Sequence, residues 1–180
     1  MDWPREIATM AYVKQAIRAC DVRNLWPYQL PTLAATSEQI QAAERHLGFR
    51  LDAEYSSFLC HANGWRGFYQ SVDLFGTDDL IAGERMGRAR KMLADVEPSV
   101  VSASGVRKDD LLPIGATSAD LDLFVLTTPG DESPGRVIWF AGTEIQRFEN
   151  FGEFFLSMVD YNRSELTALQ NALPGDHTQG

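Results

Sequence analysis

The side chains whose types and spacing could do chemistry here are mostly carboxylates. Asp73, Asp78 and Asp79 fall close together, Asp109 and Asp110 are adjacent, and Asp120 and Asp122 are two apart. Residues two apart on a strand share a face, so Asp120 and Asp122 are expected side by side, as an acid–base pair or a cation site would need. A divalent cation requires several oxygens converging from fixed positions, and the spacing supplies only two. A solvated face is the plainer reading of these acids, contact with a partner the next, and a metal the last.

Other catalytic side chains are sparse. Cys60 and His61 are adjacent, and adjacent helical side chains do not face one another, so they make no nucleophilic pair. Neither Cys20 nor Cys60 has a second Cys or His at zinc-ligand spacing, and both read as reduced thiols. His46 falls near a helix end, where it favours the helix dipole, and His177 falls in the terminal stretch. No nucleophile elbow, P-loop or dinucleotide fingerprint occurs. The sequence therefore assigns no catalytic residue, metal ligand or cofactor, and no enzymatic activity is expected.

Binding chemistry is better represented. Trp65-Arg66-Gly67-Phe68-Tyr69 follows a helix-ending Asn63-Gly64, where a loop is expected. Three aromatics and an arginine are the residue types enriched at binding hot spots. Two readings stand for it: Trp65, Phe68 and Tyr69 anchor a partner, or Trp65 and Phe68 cover the sheet edge as core. Arg85, Arg88, Arg90 and Lys91 form the single basic cluster, a solvated helix face or an internal partner for the acidic C-terminal half. Net charge is −9, which argues against nucleic acid, whose phosphates demand a basic face. The charge is uneven: residues 1–50 carry a net +1, residues 51–100 a net −3 and residues 101–180 a net −7. So acidic a half suits a basic partner, or simply solvation.

The elements that must position these residues follow from periodicity. Residues 5–20 read as a helix, and the prolines of 26–31 force an extended connector whose aromatics pack on the main body. Thr36 and Gln39 have capping-box spacing ahead of Ile40, Ala43 and Leu47, and Gly48 stops that helix. Asp52 caps a second, with Tyr55, Phe58, Leu59 and Ala62 on one face. A short strand is expected at 72–75 and one helix over 78–95. Leu111-Leu112-Pro113-Ile114-Gly115 is expected at a sheet edge, because proline cannot complete a ladder. Residues 120–127 alternate as a half-exposed strand, with Asp120 and Asp122 on its solvent face. They form a hairpin with 136–140, and 145–148 adds a further strand. Asn150 and Glu153 cap a closing helix faced by Phe151, Phe154, Phe155, Met158 and Val159. The order implies an α+β fold, a mainly antiparallel sheet with helices packed against it. Residues 1–35 are expected to form a helix and connector on the main body, 36–173 the domain proper, and 174–180 a flexible tail. The first residues lack a basic, apolar leader, and no run approaches the roughly 20 apolar residues of a membrane span, so a cytoplasmic chain is expected.

Several of these motifs together resemble a known family. Ser37 to Leu51, with Ile40, Glu44, Leu47-Gly48 and Leu51, is similar to the opening of the SUKH superfamily, with Asp52 in place of the usual proline. Tyr55, Phe58-Leu59 and Asn63-Gly64 resemble its next helix. Leu112-Pro113-Ile114-Gly115 resembles its strand entry, and Phe151, Phe154, Phe155 and Leu156 its closing helix. Around Asp120-Leu121-Asp122 the usual glycine is missing. The resemblance spans about residues 36–160. It implies a SUKH-like fold and an immunity-type protein that binds and neutralises a cognate bacterial toxin, possibly a nuclease, with a basic surface. Asp73, Asp78, Asp79, Asp120 and Asp122 would then steer that partner. The alternatives are a regulatory protein-binding module unconnected with toxins, as in relatives linked to cell-wall assembly, and a metal-assisted hydrolase using the aspartates.

Overall fold

A computed structural model describes residues 1–172. Among them are seven α-helices and one six-stranded antiparallel sheet whose strand order follows the sequence. The helices are α1 (Trp3–Cys20), α2 (Ser37–Leu47), α3 (Ala53–Leu59), α4 (Thr77–Ile81), α5 (Glu84–Asp95), α6 (Pro98–Ala103) and α7 (Phe151–Ala172). The strands are β1 (Trp65–Tyr69), β2 (Val72–Leu74), β3 (Leu111–Thr117), β4 (Asp122–Thr127), β5 (Val137–Ala141) and β6 (Thr143–Phe148). This is the α+β architecture expected. The proposed tail, 174–180, lies outside the described residues.

Local chemistry sets most boundaries. The Thr36 hydroxyl accepts from the Gln39 N–H while the Gln39 side chain accepts from the Thr36 N–H, a closed capping box. Gly48 ends α2 in the left-handed region at φ 81°. One Asp52 oxygen accepts from the N–H groups of both Glu54 and Tyr55, which satisfies two of the orphan donors of α3.

The sheet is covered on both faces. Across the strands, Leu74, Gly115, Phe124 and Trp139 lie in register and share one face. That face meets α7: the Phe124 and Phe154 rings lie 4.9 Å apart, edge to face, a favoured aromatic geometry. The opposite face is covered by α5 against β3 and β4. α1 then lies on α7, where Trp3 packs on Phe58 and Phe155 at ring separations of 5.4 Å.

Three expectations are corrected. Residues 78–95 are two helices, because Gly83 adopts φ 148°, which breaks the helix although the apolar spacing runs on through it. The 111–115 segment is the first part of an interior strand. β2 reaches only Gly115–Thr117 of β3, so Pro113 falls beyond the end of β2, beside a register irregularity against β4, and its missing N–H costs no ladder bond to β2. Residues 65–69, expected as a loop, are β1, an edge strand. The connector covers that edge: the Trp65 indole donates to the Gln29 carbonyl at 2.8 Å, and Thr32 exchanges backbone bonds with Asn63 and Gly64. A β-carbon on Gly67 would sit 2.5 Å from the Pro27 carbonyl oxygen, so glycine lets the proline-bearing strap lie flush, one way of blocking an open strand edge.

Candidate functional site

The acids singled out in the sequence divide between the two faces of the sheet. Asp78 and Asp79 line a crevice of about 180 Å³ where α3 ends and β2 runs into α4, and Asp73 is joined to it through Arg85. Its walls include Asn63, Gly64, Arg66, Asp78, Asp79 and Arg85. Asn63 fixes the junction: its side-chain oxygen accepts from the Thr77 N–H at 2.7 Å, and its amide donates to the Thr77 hydroxyl at 2.9 Å. Gly64, at φ 87°, lies so close to Gly76 that a β-carbon would stand 2.6 Å from the Gly76 nitrogen. The Tyr55 hydroxyl donates to the Phe75 carbonyl at 2.8 Å and closes the floor.

Arg85 organises the charges there. Its guanidinium reaches Asp79 at 3.0 Å and Asp73 at 3.5 Å. Each acid also takes a backbone donor: Asp73 accepts from the Gly67 N–H at 2.9 Å and Asp79 from the Gly76 N–H at 3.1 Å. Burial pushes the Asp79 carboxyl up from its ordinary range, against the Gly76 N–H and Arg85, which pull it down. These two carboxylates are therefore structural partners of an arginine and the backbone. Asp78 and Arg66 are exposed at the mouth of the crevice and free to meet a partner. Arg85, read as a possible partner for the acidic C-terminal half, pairs instead with acids of β2 and α4.

Tyr69 and Asp122 belong to the other face, at the far end of the sheet. Tyr69, Trp139 and Tyr161 form a triangle of edge-on rings 5.4 to 6.0 Å apart. The Trp139 indole donates to Asp122 at 2.7 Å. Asp122 is half-buried, so the expectation that it stands on a solvent face is corrected; burial raises its carboxyl, Trp139 lowers it and the nearby Asp120 raises it further. Asp120 is exposed in the turn before β4. Gln70 donates to Glu165 at 2.8 Å across to α7. No sequence signal marks Trp139, Tyr161 and Glu165 as neighbours of Tyr69, because their proximity depends on how β5 and α7 cross.

The aromatic anchor is also corrected. Trp65 is 1% exposed and Phe68 fully buried, with their rings 6.0 Å apart and Phe68 against Phe154 and Phe155. Tyr69 keeps 8%. Of the two readings of this segment, the core reading describes where these rings lie. Among the described residues no three His, Cys, Asp or Glu side chains come together as metal ligands, and no helix is long and apolar enough to cross a membrane.

No curated protein matches the sequence. A family match does exist, and it runs from residue 34 to residue 157. It begins just before the α2 capping box and ends within α7, so it takes in the whole sheet, the Asn63–Gly64 junction and the crevice. The chain belongs to the SMI1/KNR4 family (SUKH-1).

Proposed function

We propose that this protein is an immunity-type binder that neutralises a cognate bacterial toxin in the cytoplasm, and that it does so without catalysis. The observation that carries this reading is the family match over residues 34–157. The side-chain chemistry agrees with it. The aspartates that an enzyme would use are tied to Arg85, to backbone N–H groups or to the Trp139 indole, whereas Asp78, Arg66 and Asp120 are exposed. Binding surfaces draw on exposed charges of this kind, and catalysis needs poised, converging ones.

The experiment is co-expression with any toxin domain found encoded beside this gene. Growth rescued by this chain, together with a 1:1 complex of the purified proteins, supports the reading. Absence of both rescue and complex, with the chain folded, overturns it. Capture of a regulatory protein in place of a toxin would move the function to the regulatory alternative.

A further inference from the structure

Lys14 lies on the buried side of α1 and is 4% exposed. Its ammonium has three donors, yet its one hydrogen-bond partner is the Phe68 carbonyl at 3.5 Å, the outer limit for such a bond. That carbonyl is shared with Asn162. The Tyr28 ring lies 5.7 Å from the ammonium, within cation–π range. No carboxylate among the described residues pairs with it. The acid on the connector, Asp21, accepts from the Tyr28 hydroxyl at 2.8 Å and the Leu25 N–H at 2.6 Å through one oxygen, while its other oxygen is buried without a hydrogen-bond partner, and it makes no ion pair with Lys14. An unpaired buried ammonium costs several kcal/mol, and the fold gains little from this one. Burial lowers its pKa to about 8.

Lys14 also lines a cavity of about 150 Å³ between α1, the connector and β1. A cavity of roughly 150 Å³ holds a group the size of benzene. Its other walls are chemically mixed: Arg18 and Gln15 from α1, and Tyr28, Leu30 and Trp65. Arg18 is exposed and makes no ion pair among the described residues. Ala11, Leu30 and Trp65 supply the cavity's apolar wall, and Leu30 is itself exposed. Nine large hydrophobic side chains are exposed among the described residues, and six of them, including Tyr12, Leu30 and Leu33, precede residue 34. The cavity thus joins two unpaired cations to an apolar wall, mostly on a segment that lies before the family-matched region.

We infer that this cavity is a binding site for a carboxylate on a short aliphatic arm, held by Lys14 and Arg18 with its methylenes against Leu30 and Trp65. A glutamate side chain of a partner protein and a free small carboxylate share that chemistry. The inference is independent of the toxin reading, since it concerns what the cavity takes and not what the partner does.

Nuclear magnetic resonance titration of the full chain tests it. The probes are acetyl-Leu-Glu-Leu-amide, its glutamine counterpart and propionate, followed at the Trp65 indole N–H and the Lys14 side chain. Saturable shifts with the glutamate peptide, at least tenfold weaker with the glutamine peptide and abolished in Lys14→Met, are the expected result. Lys14→Met removes a buried charge and so keeps the fold, and Arg18→Gln, at an exposed position, should weaken binding several-fold. A glutamate peptide at least tenfold tighter than propionate assigns the site to a protein side chain; comparable affinities assign it to a free small carboxylate. Equal shifts from the glutamine peptide, binding retained in Lys14→Met, or no response to either carboxylate would each overturn the assignment.

Discussion

At the scale of single residues, Lys14 sets stability against binding. A lysine ordinarily titrates at 10.5, and burial brings this one down to about 8. Between those two values the unfolded chain holds a proton that the folded chain has lost, so stability rises with pH across the window of about 8 to 10.5. Below it, both states are protonated and the folded state bears the full cost of the buried charge. Lys14→Met should therefore stabilise the protein at pH 7 by on the order of 2–3 kcal/mol, and its advantage should shrink as pH climbs through the window. Urea denaturation of both proteins at several pH values checks this, and a constant difference would contradict the assignment. Phe154 sets the opposite case. It is fully buried and touches Phe68, Phe124, Phe148 and Phe151, so Phe154→Ala should cost roughly 3–5 kcal/mol, read by the same denaturation. Helical periodicity pointed to this ring because α7 has one clean apolar face. On α1 the buried residues include both Val13 and Lys14. Periodicity reports which side is covered and cannot say that a cation is among the covered groups.

At the scale of elements, what could be read from sequence was what depends on near neighbours in the chain. The caps of α2 and α3 were legible because the donors and acceptors lie within four residues of one another. The split between α4 and α5 was not, because Leu80, Ile81, Met86, Ala89 and Leu93 keep helical spacing across Gly83. Nor was β1 recognised as a strand: Trp65 to Tyr69 show no alternation, since all but Arg66 are buried. Their cover comes from α1, α7 and the connector, which are distant in sequence. The same long-range packing hid which acids are bonded and which are free, so the candidate site was legible only as a set of residues. The glycines separate local from long-range demands sharply. Gly48 has φ 81° and open space around it, while Gly64 has φ 87° and the Gly76 backbone against it. Gly48→Ala should cost only the left-handed penalty of about 1–2 kcal/mol. Gly64→Ala pays that and must also push the α3–β2 junction apart, so its loss of thermal stability should be clearly the larger. Equal melting temperatures for the two variants would show that the junction yields freely.

At the scale of the whole molecule, the arrangement of ion pairs matters more than the net charge of −9. Within residues 101–172, Arg107, Arg136, Arg147 and Arg163 each pair with an acid, and Lys108 donates to the Ala94 and Val96 carbonyls. The cations of this half are thus occupied, and exposed acids such as Asp109, Asp120 and Glu132 are left over. Arg18, Arg45, Arg50, Arg66 and Arg90, none of them in an ion pair among the described residues, all lie earlier in the chain. The acids left unpaired in this half carry the sign of charge that would steer a basic partner such as a nuclease toxin. The acids to test are the exposed ones. Reversing Asp79 would also remove an N–H acceptor and an Arg85 partner, and would confuse folding with binding. Asp78→Lys combined with Asp120→Lys, at two exposed positions, leaves those bonds in place. If exposed acids steer the encounter, this variant should associate with the toxin about tenfold more slowly at low salt, with dissociation little changed, because rim charges act on the on-rate. The gap should close as salt shortens the screening length to about 8 Å at physiological ionic strength. Surface-bound kinetics at two salt concentrations decide it: association of the unaltered protein that ignores salt, or a variant whose loss lies wholly in dissociation, would show that these acids contact the partner without guiding it.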